Sequence, residues 1–146
     1  MSNLKLILFA AILTVGGITV ANAQIEQGSV LRVNIPNSFV VNDKTFAAGQ
    51  YTIERTPSMA DSPSLLVLRE AKSGNGIVFD TTATRTRDAA KTSELVFDNI
   101  DGTYFLAQIW VKGSTSSNDV PVTRRQRQMM ARGPVQHVVI SSDTGF

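Results

Sequence analysis

From Val30 to about Val111 the chain alternates apolar and polar residues with a period of two, and turn-forming pairs interrupt the alternation at short intervals. Successive side chains of a strand point to opposite faces, so this pattern suits half-buried strands and would scatter apolar groups around a helix. It predicts strands in SVLRVNI, SFVVN, QYTIER, SLLVLRE, GIVFDTTATR, SELVFDN and TYFLAQIWV, with VQHVVIS near the C-terminus. The turns between them are chemically legible. Asn75-Gly76 and Asp101-Gly102 tolerate the positive φ angles of a tight hairpin, and Asn42 to Thr45 forms a third turn signal. Seven to eight short strands with one short C-terminal α-helix predict an all-β fold, an antiparallel β-sandwich or small barrel.

TYFLAQIWV carries large apolar groups on both faces. Strict alternation puts Tyr104, Leu106 and Trp110 on one side, and Phe105, Ile109 and Val111 on the other. A strand loaded in this way is central or covered, and the helix after it is the expected cover. Between the two lies GSTSSND (Gly113 to Asp119), which reads as a flexible loop.

The N-terminus reads as a secretory signal peptide over residues 1–23. Lys5 is the basic start, Leu6 to Val15 the apolar stretch, and Ala21-Asn22-Ala23 the small-x-small cleavage pattern. The apolar run is shorter than the roughly 20 residues of a spanning helix and is broken by Gly16 and Gly17. Cleavage leaves a single β domain, residues 24–146, expected in the periplasm or outside the cell. The chain has no cysteine, which removes disulfides, thiol chemistry and sulfur-ligated zinc. Such a domain must hold by burial and hydrogen bonds.

Four arginines fall in VTRRQRQMMARGP: Arg124, Arg125, Arg127 and Arg132. Thr123 is a plausible N-cap and Gly133-Pro134 a stop, giving a helix over about residues 123–132. On a helical projection Val122, Gln126, Met129 and Met130 share the apolar side. So short a helix must pack on something. Arg124 and Arg125 lie in the first turn, where the helix dipole disfavours cations, and no glutamate within the helix offsets them. Without these four arginines the mature domain holds more acidic than basic residues. The expectation is intramolecular docking of the arginines on Glu54, Glu70, Asp80, Glu94 or Asp98, with a partner second. An envelope protein or a homo-oligomer is the partner class. A membrane surface ranks lower, because the helix lacks bulky apolar anchors. Nucleic acid is excluded by the near-neutral charge, the lack of interleaved aromatic and basic residues, and export.

No catalytic constellation is legible. The one histidine, His137, lies in a predicted strand and reads as a polar residue at a sheet face or rim. There is no G-x-S-x-G elbow and no phosphate-binding glycine loop. Asp98 to Gly102 begins like a calcium loop, lacks the later ligands, and reads as a hairpin turn. The chain is therefore expected to be no enzyme and to bind neither cofactor nor metal.

Ile35-Pro36, Phe39, Val41, Phe46, Ala48-Gly49, Tyr51 and Ile53 match a motif of the form V-P-F-x-F-x-V-x-x-x-x-L-P-A-G-x-Y-x-V. With YFLAQIWVKG and DVPVTRRQRQMMA downstream, the mature chain resembles a family of small exported β-rich proteins common in acidobacterial genomes. Those relatives often carry a glutamate within the basic segment, where this chain has Gln126. The resemblance implies an exported β domain and supplies no activity. Two functional readings stand. The first is a non-catalytic interaction or structural module of the cell envelope. The alternative is a carrier of a small apolar ligand, with Tyr104, Phe105 and Trp110 as the candidate pocket wall.

Overall fold

A computed structural model describes residues 30–55 and 64–145; the expected signal peptide lies outside the described residues. The strands are β1 (Val30–Ile35), β2 (Phe39–Val41), β3 (Lys44–Phe46), β4 (Gly49–Glu54), β5 (Leu65–Glu70), β6 (Gly76–Asp80), β7 (Thr82–Arg85), β8 (Glu94–Ile100), β9 (Thr103–Trp110) and β10 (Ser116–Asp119). Helix α1 (Arg124–Met130) follows, then β11 (Gln136–Ser141) and β12 (Asp143–Gly145). All eight expected strands are present, one of them divided at Thr81, and β3, β10 and β12 are added.

The strands form a β-sandwich and do not close into a barrel. The smaller sheet runs β12-β1-β4-β5-β6 and the larger β11-β8-β9-β10-β7, with the β2–β3 hairpin joined to the N-terminal end of β9. Besides the β2–β3 hairpin, where the chain leaves and re-enters the smaller sheet, two nearly continuous strands bend from one sheet into the other. β6 leaves the smaller sheet and β7 enters the larger one across Thr81, whose Oγ1 donates to the Ser64 carbonyl at 2.8 Å. At the opposite side β11 passes into β12 across Ser142, whose backbone N–H donates to the Ser93 carbonyl.

Between the sheets lies the main core. Phe39 sits at its centre, with ring centroids of Phe46, Tyr51 and Phe97 within 5.0–5.7 Å. Such aromatic pairs add to area burial, which alone is worth about 1.5–3 kcal/mol per large apolar side chain. The Tyr51 hydroxyl donates to the Ala47 carbonyl at 2.6 Å and closes the turn into β4. Burial, and secondarily the Glu70 carboxylate, raise the Tyr51 pKa above its ordinary value.

Turn chemistry accounts for two hairpins directly. Asn42 and Asp43 take φ angles of 49° and 63°, and Asp101 and Gly102 take 50° and 78°, as two-residue hairpin loops require. The β5–β6 connection differs from expectation. Gly74, at φ 71°, makes its turn, while Gly76 lies inside β6 opposite Arg69. A second difference is GSTSSND, which is no free loop: its last four residues are β10, paired to both β7 and β9.

The third difference governs which groups share a face. β8 and β9 pair with a register shift, Val96 opposite Gln108 but Phe97 opposite Leu106, so that Ala107 is an extra residue on β9. A β-bulge of this kind reverses the alternation beyond it. Leu106, Ile109 and Val111 therefore all enter the main core. Phe105, Gln108 and Trp110 fall on the outer face of the larger sheet.

Candidate interaction site on the outer face of the larger sheet

Outside the larger sheet a second, small apolar cluster forms from Val40, Ile100 and Phe105, with Met129 and Val135 packed over it. Helix α1 is thus the cover for the apolar outer side of β9. Thr123 caps its start: the Oγ1 accepts from the Gln126 backbone N–H at 3.3 Å and donates to Asp43 Oδ1 at 2.8 Å. At 7 residues the helix is too short to be stable undocked.

The docking is polar as well as apolar. Gln126, 4% exposed, donates from Nε2 to Asp98 Oδ2 at 3.1 Å. Across the β8–β11 pair, His137 Nδ1 donates to Asp98 Oδ1 at 2.9 Å. Each oxygen of a carboxylate only 10% exposed thus has its own donor, which is what makes its burial tolerable. The His137 side chain is itself 70% exposed, and its other ring nitrogen faces away from this pair.

An open groove of about 390 Å³ runs along the outer face beside α1. Val96, Ala107 and Val120 contribute apolar surface, and Asp98, His137 and Asp119 polar surface. The outward residues of β8, β9 and β10 follow from the register. They include Glu94, Asp98 and Asp119, and neither lysine nor arginine. Asp119 accepts from Thr84 Oγ1 at 2.7 Å, and Glu94 accepts from Thr92 Oγ1 at 3.2 Å. The face is anionic: Glu94 and Asp119 receive their bonds from neutral hydroxyls, which leave the charge in place, while the buried Asp98 is held by Gln126 and His137.

The four arginines are placed otherwise than expected. Arg124, Arg125, Arg127 and Arg132 are all exposed, and none forms an ion pair among the described residues. The carboxylates considered for them are used elsewhere: Glu54 pairs with Arg69, Glu70 accepts from Ser73, Asp80 accepts from the Thr81 backbone N–H, and Asp98 holds Gln126 and His137. The helix docks on its own sheet through an amide and a methionine, with its guanidinium groups turned to solvent. Of the expected apolar side only Gln126 and Met129 are covered; Val122 and Met130 remain exposed.

Tyr104, Phe105 and Trp110 do not form one wall. Tyr104 packs against the main core, Phe105 lies under α1, and Trp110 is on the outer face with its Nε1 donating to Gln108 Oε1 at 3.4 Å. Among the described residues no cluster of three or more histidine, aspartate or glutamate side chains could hold a metal ion. Sequence reasoning missed the Gln126–Asp98–His137 chain, because Gln126 and His137 lie 28 and 39 residues from Asp98: His137 meets it through the β8–β11 register, and Gln126 through the docking of α1.

Fold and site together define an all-β sandwich bearing a rigidly docked basic helix on an acidic sheet face. No protein-family profile, curated protein or solved structure matches this chain.

Proposed function

We propose that this chain is an exported, non-catalytic β domain that acts as an interaction module of the cell envelope, with α1 as its contact element. One observation carries this reading: α1 is fixed at Thr123, Gln126 and Met129, yet its three arginines, and Arg132 just beyond its C-cap, are exposed and have no carboxylate partner among the described residues. An arginine on an anchored helix meets an anion with its backbone already ordered, so only side-chain freedom is lost, and its planar donors suit carboxylates. The export reading rests on the pattern of residues 1–23 and on the resemblance to small exported β proteins.

The test is photo-crosslinking in intact cells. A photoreactive amino acid replaces Arg127 in one variant and Lys72, on the far sheet's turn, in another. Adducts confined to position 127, in the periplasmic fraction, are the expected result. Equal labelling at both positions, or none at 127, refutes α1 as the contact element. Recovery of the chain only from the cytoplasm refutes export.

A further inference from the structure

We infer that the partner of α1 is a second copy of this chain, each arginine helix lying over the acidic outer face of the other copy's larger sheet. This rests on the reading of α1 as the contact element and names what it contacts.

Two opposite charge sets lie side by side on one surface. Arg124, Arg125 and Arg127 project from α1 and Arg132 from the turn just after it, and Glu94 and Asp119 stand on the adjoining sheet beside the buried Asp98. They do not pair within one copy, because the Thr123–Asp43 and Gln126–Asp98 hydrogen bonds hold the helix with its arginines outward. A two-fold interface requires a self-complementary patch, in which what one copy offers the other receives. A basic helix beside an acidic groove meets that requirement: an axis between them sets each helix over the other copy's groove.

Apolar surface follows the same boundary. Of the four large hydrophobic residues that remain exposed among the described residues, Val122, Met130 and Val139 belong to this side of the domain; only Val78 is on the smaller sheet. Val139 faces outward opposite Val96 on the groove floor, and Val122 lines the groove rim. A patch with apolar residues between opposite charges that do not pair with each other is suited to steer, orient and then exclude water. An anionic membrane surface would attract the arginines but repel the carboxylates beside them, so the same patch disfavours it.

The test uses the mature chain, with mass measured by light scattering during size exclusion and affinity by sedimentation. The wild type should be a dimer that weakens as salt is raised. Arg124→Glu/Arg125→Glu/Arg127→Glu reverses the charge of the basic segment, and Glu94→Lys/Asp119→Lys/Val139→Lys reverses that of the sheet face at positions outside the Asp98 network. Each variant alone should self-associate about tenfold or more weakly, attraction having become repulsion. Mixed one to one, the two should form a heterodimer, since each helix then meets a face of opposite charge. Circular dichroism and thermal melts establish that both variants are folded.

A wild type that is monomeric at low salt, or folded variants that fail to pair when mixed, overturns the proposal. If the crosslinked adduct at position 127 has a mass other than twice that of the chain and the wild type is monomeric, the contact element stands and the second copy falls. If no adduct forms at position 127, both fall.

Discussion

Gln126→Glu is nearly isosteric and changes one donor into a carboxylate beside a buried carboxylate. In the wild type the Gln126 Nε2 donates to Asp98 Oδ2 at 3.1 Å. In the variant two like charges at that separation repel by about 5 kcal/mol at an effective dielectric of about 20. The site has a cheaper alternative, which is to bind a proton. Holding a carboxylic acid neutral at pH 7.5 costs about 4 kcal/mol, from about 3 pH units above the ordinary glutamate value at about 1.4 kcal/mol each. The bound proton also restores a hydrogen bond to Asp98. The destabilisation is therefore limited to about 4 kcal/mol at pH 7.5 and falls to about 1 kcal/mol at pH 5. The sign follows from linkage: the shared proton is held above the ordinary carboxylate range only when folded, so relative stability is full at low pH and lost as pH rises. Urea denaturation of variant and wild type at the two pH values reads the difference directly. A gap below about 1 kcal/mol at pH 7.5, or one that does not shrink at pH 5, would refute the Gln126–Asp98 contact as the polar anchor of α1.

Three further outcomes test the fold that holds this site. Gly76→Ala places a Cβ 2.0 Å from the Leu68 carbonyl oxygen, so β5 and β6 must separate; a loss of about 1–3 kcal/mol is expected in urea denaturation, and an unchanged midpoint would show the pairing to be looser. Phe39→Ala removes the ring at the centre of the aromatic cluster and should cost about 3–5 kcal/mol, read by the same titration, with anything under about 1 kcal/mol contradicting its central position. Tyr51 has a raised pKa, so its folded state favours the neutral phenol: that stability is complete below the ordinary tyrosine value near pH 10 and lost as pH climbs past it. Thermal melts across that range should fall more steeply for the wild type than for Tyr51→Phe, and parallel curves would contradict the buried Tyr51–Ala47 hydrogen bond.

Elements decided by local chemistry were readable from the sequence. Asp101 and Gly102 both tolerate positive φ and both adopt it, so two residues mark the β8–β9 hairpin; Asn75-Gly76 offers the same tolerance, but Gly74 makes that turn instead. Thr81 is different: it continues an unbroken β-type run, and only its buried bond to Ser64 makes it a corner between sheets. β10 is built from serines, asparagine and aspartate, poor strand formers that are ordered by β7 and β9 on either side. Ala107 carries no mark of a bulge, yet the phase of β9 beyond it, and hence the position of Trp110, depends on it. The site was hidden for the same reason. His137 read as a polar residue on a strand is correct locally; that it faces Asp98 is a property of strand register, and that Asp98 meets Gln126 is a property of how α1 docks. The four arginines were visible from the start, but where they point depends on which residue of α1 is buried.

That orientation separates what α1 contributes to folding from what it offers a partner. Folding accounts for Thr123, Gln126 and Met129, each of which touches the sandwich. It does not account for arginine in the first turn, which has no acidic residue and where the helix dipole favours one. Arg125→Glu should therefore stabilise the monomer, by about 0.3–1 kcal/mol at low salt. The same change subtracts a cation from the proposed contact surface and should weaken self-association. Chemical denaturation at a chain concentration below the dimer dissociation constant reads the first effect apart from association, sedimentation reads the second, and opposite signs are expected. A variant that loses stability would mean that Arg125 has a folding role within its own copy. A variant that gains stability and still associates like the wild type would remove Arg125 from the interface. Stability gained together with association lost would mark this arginine as one retained against the preference of its own helix.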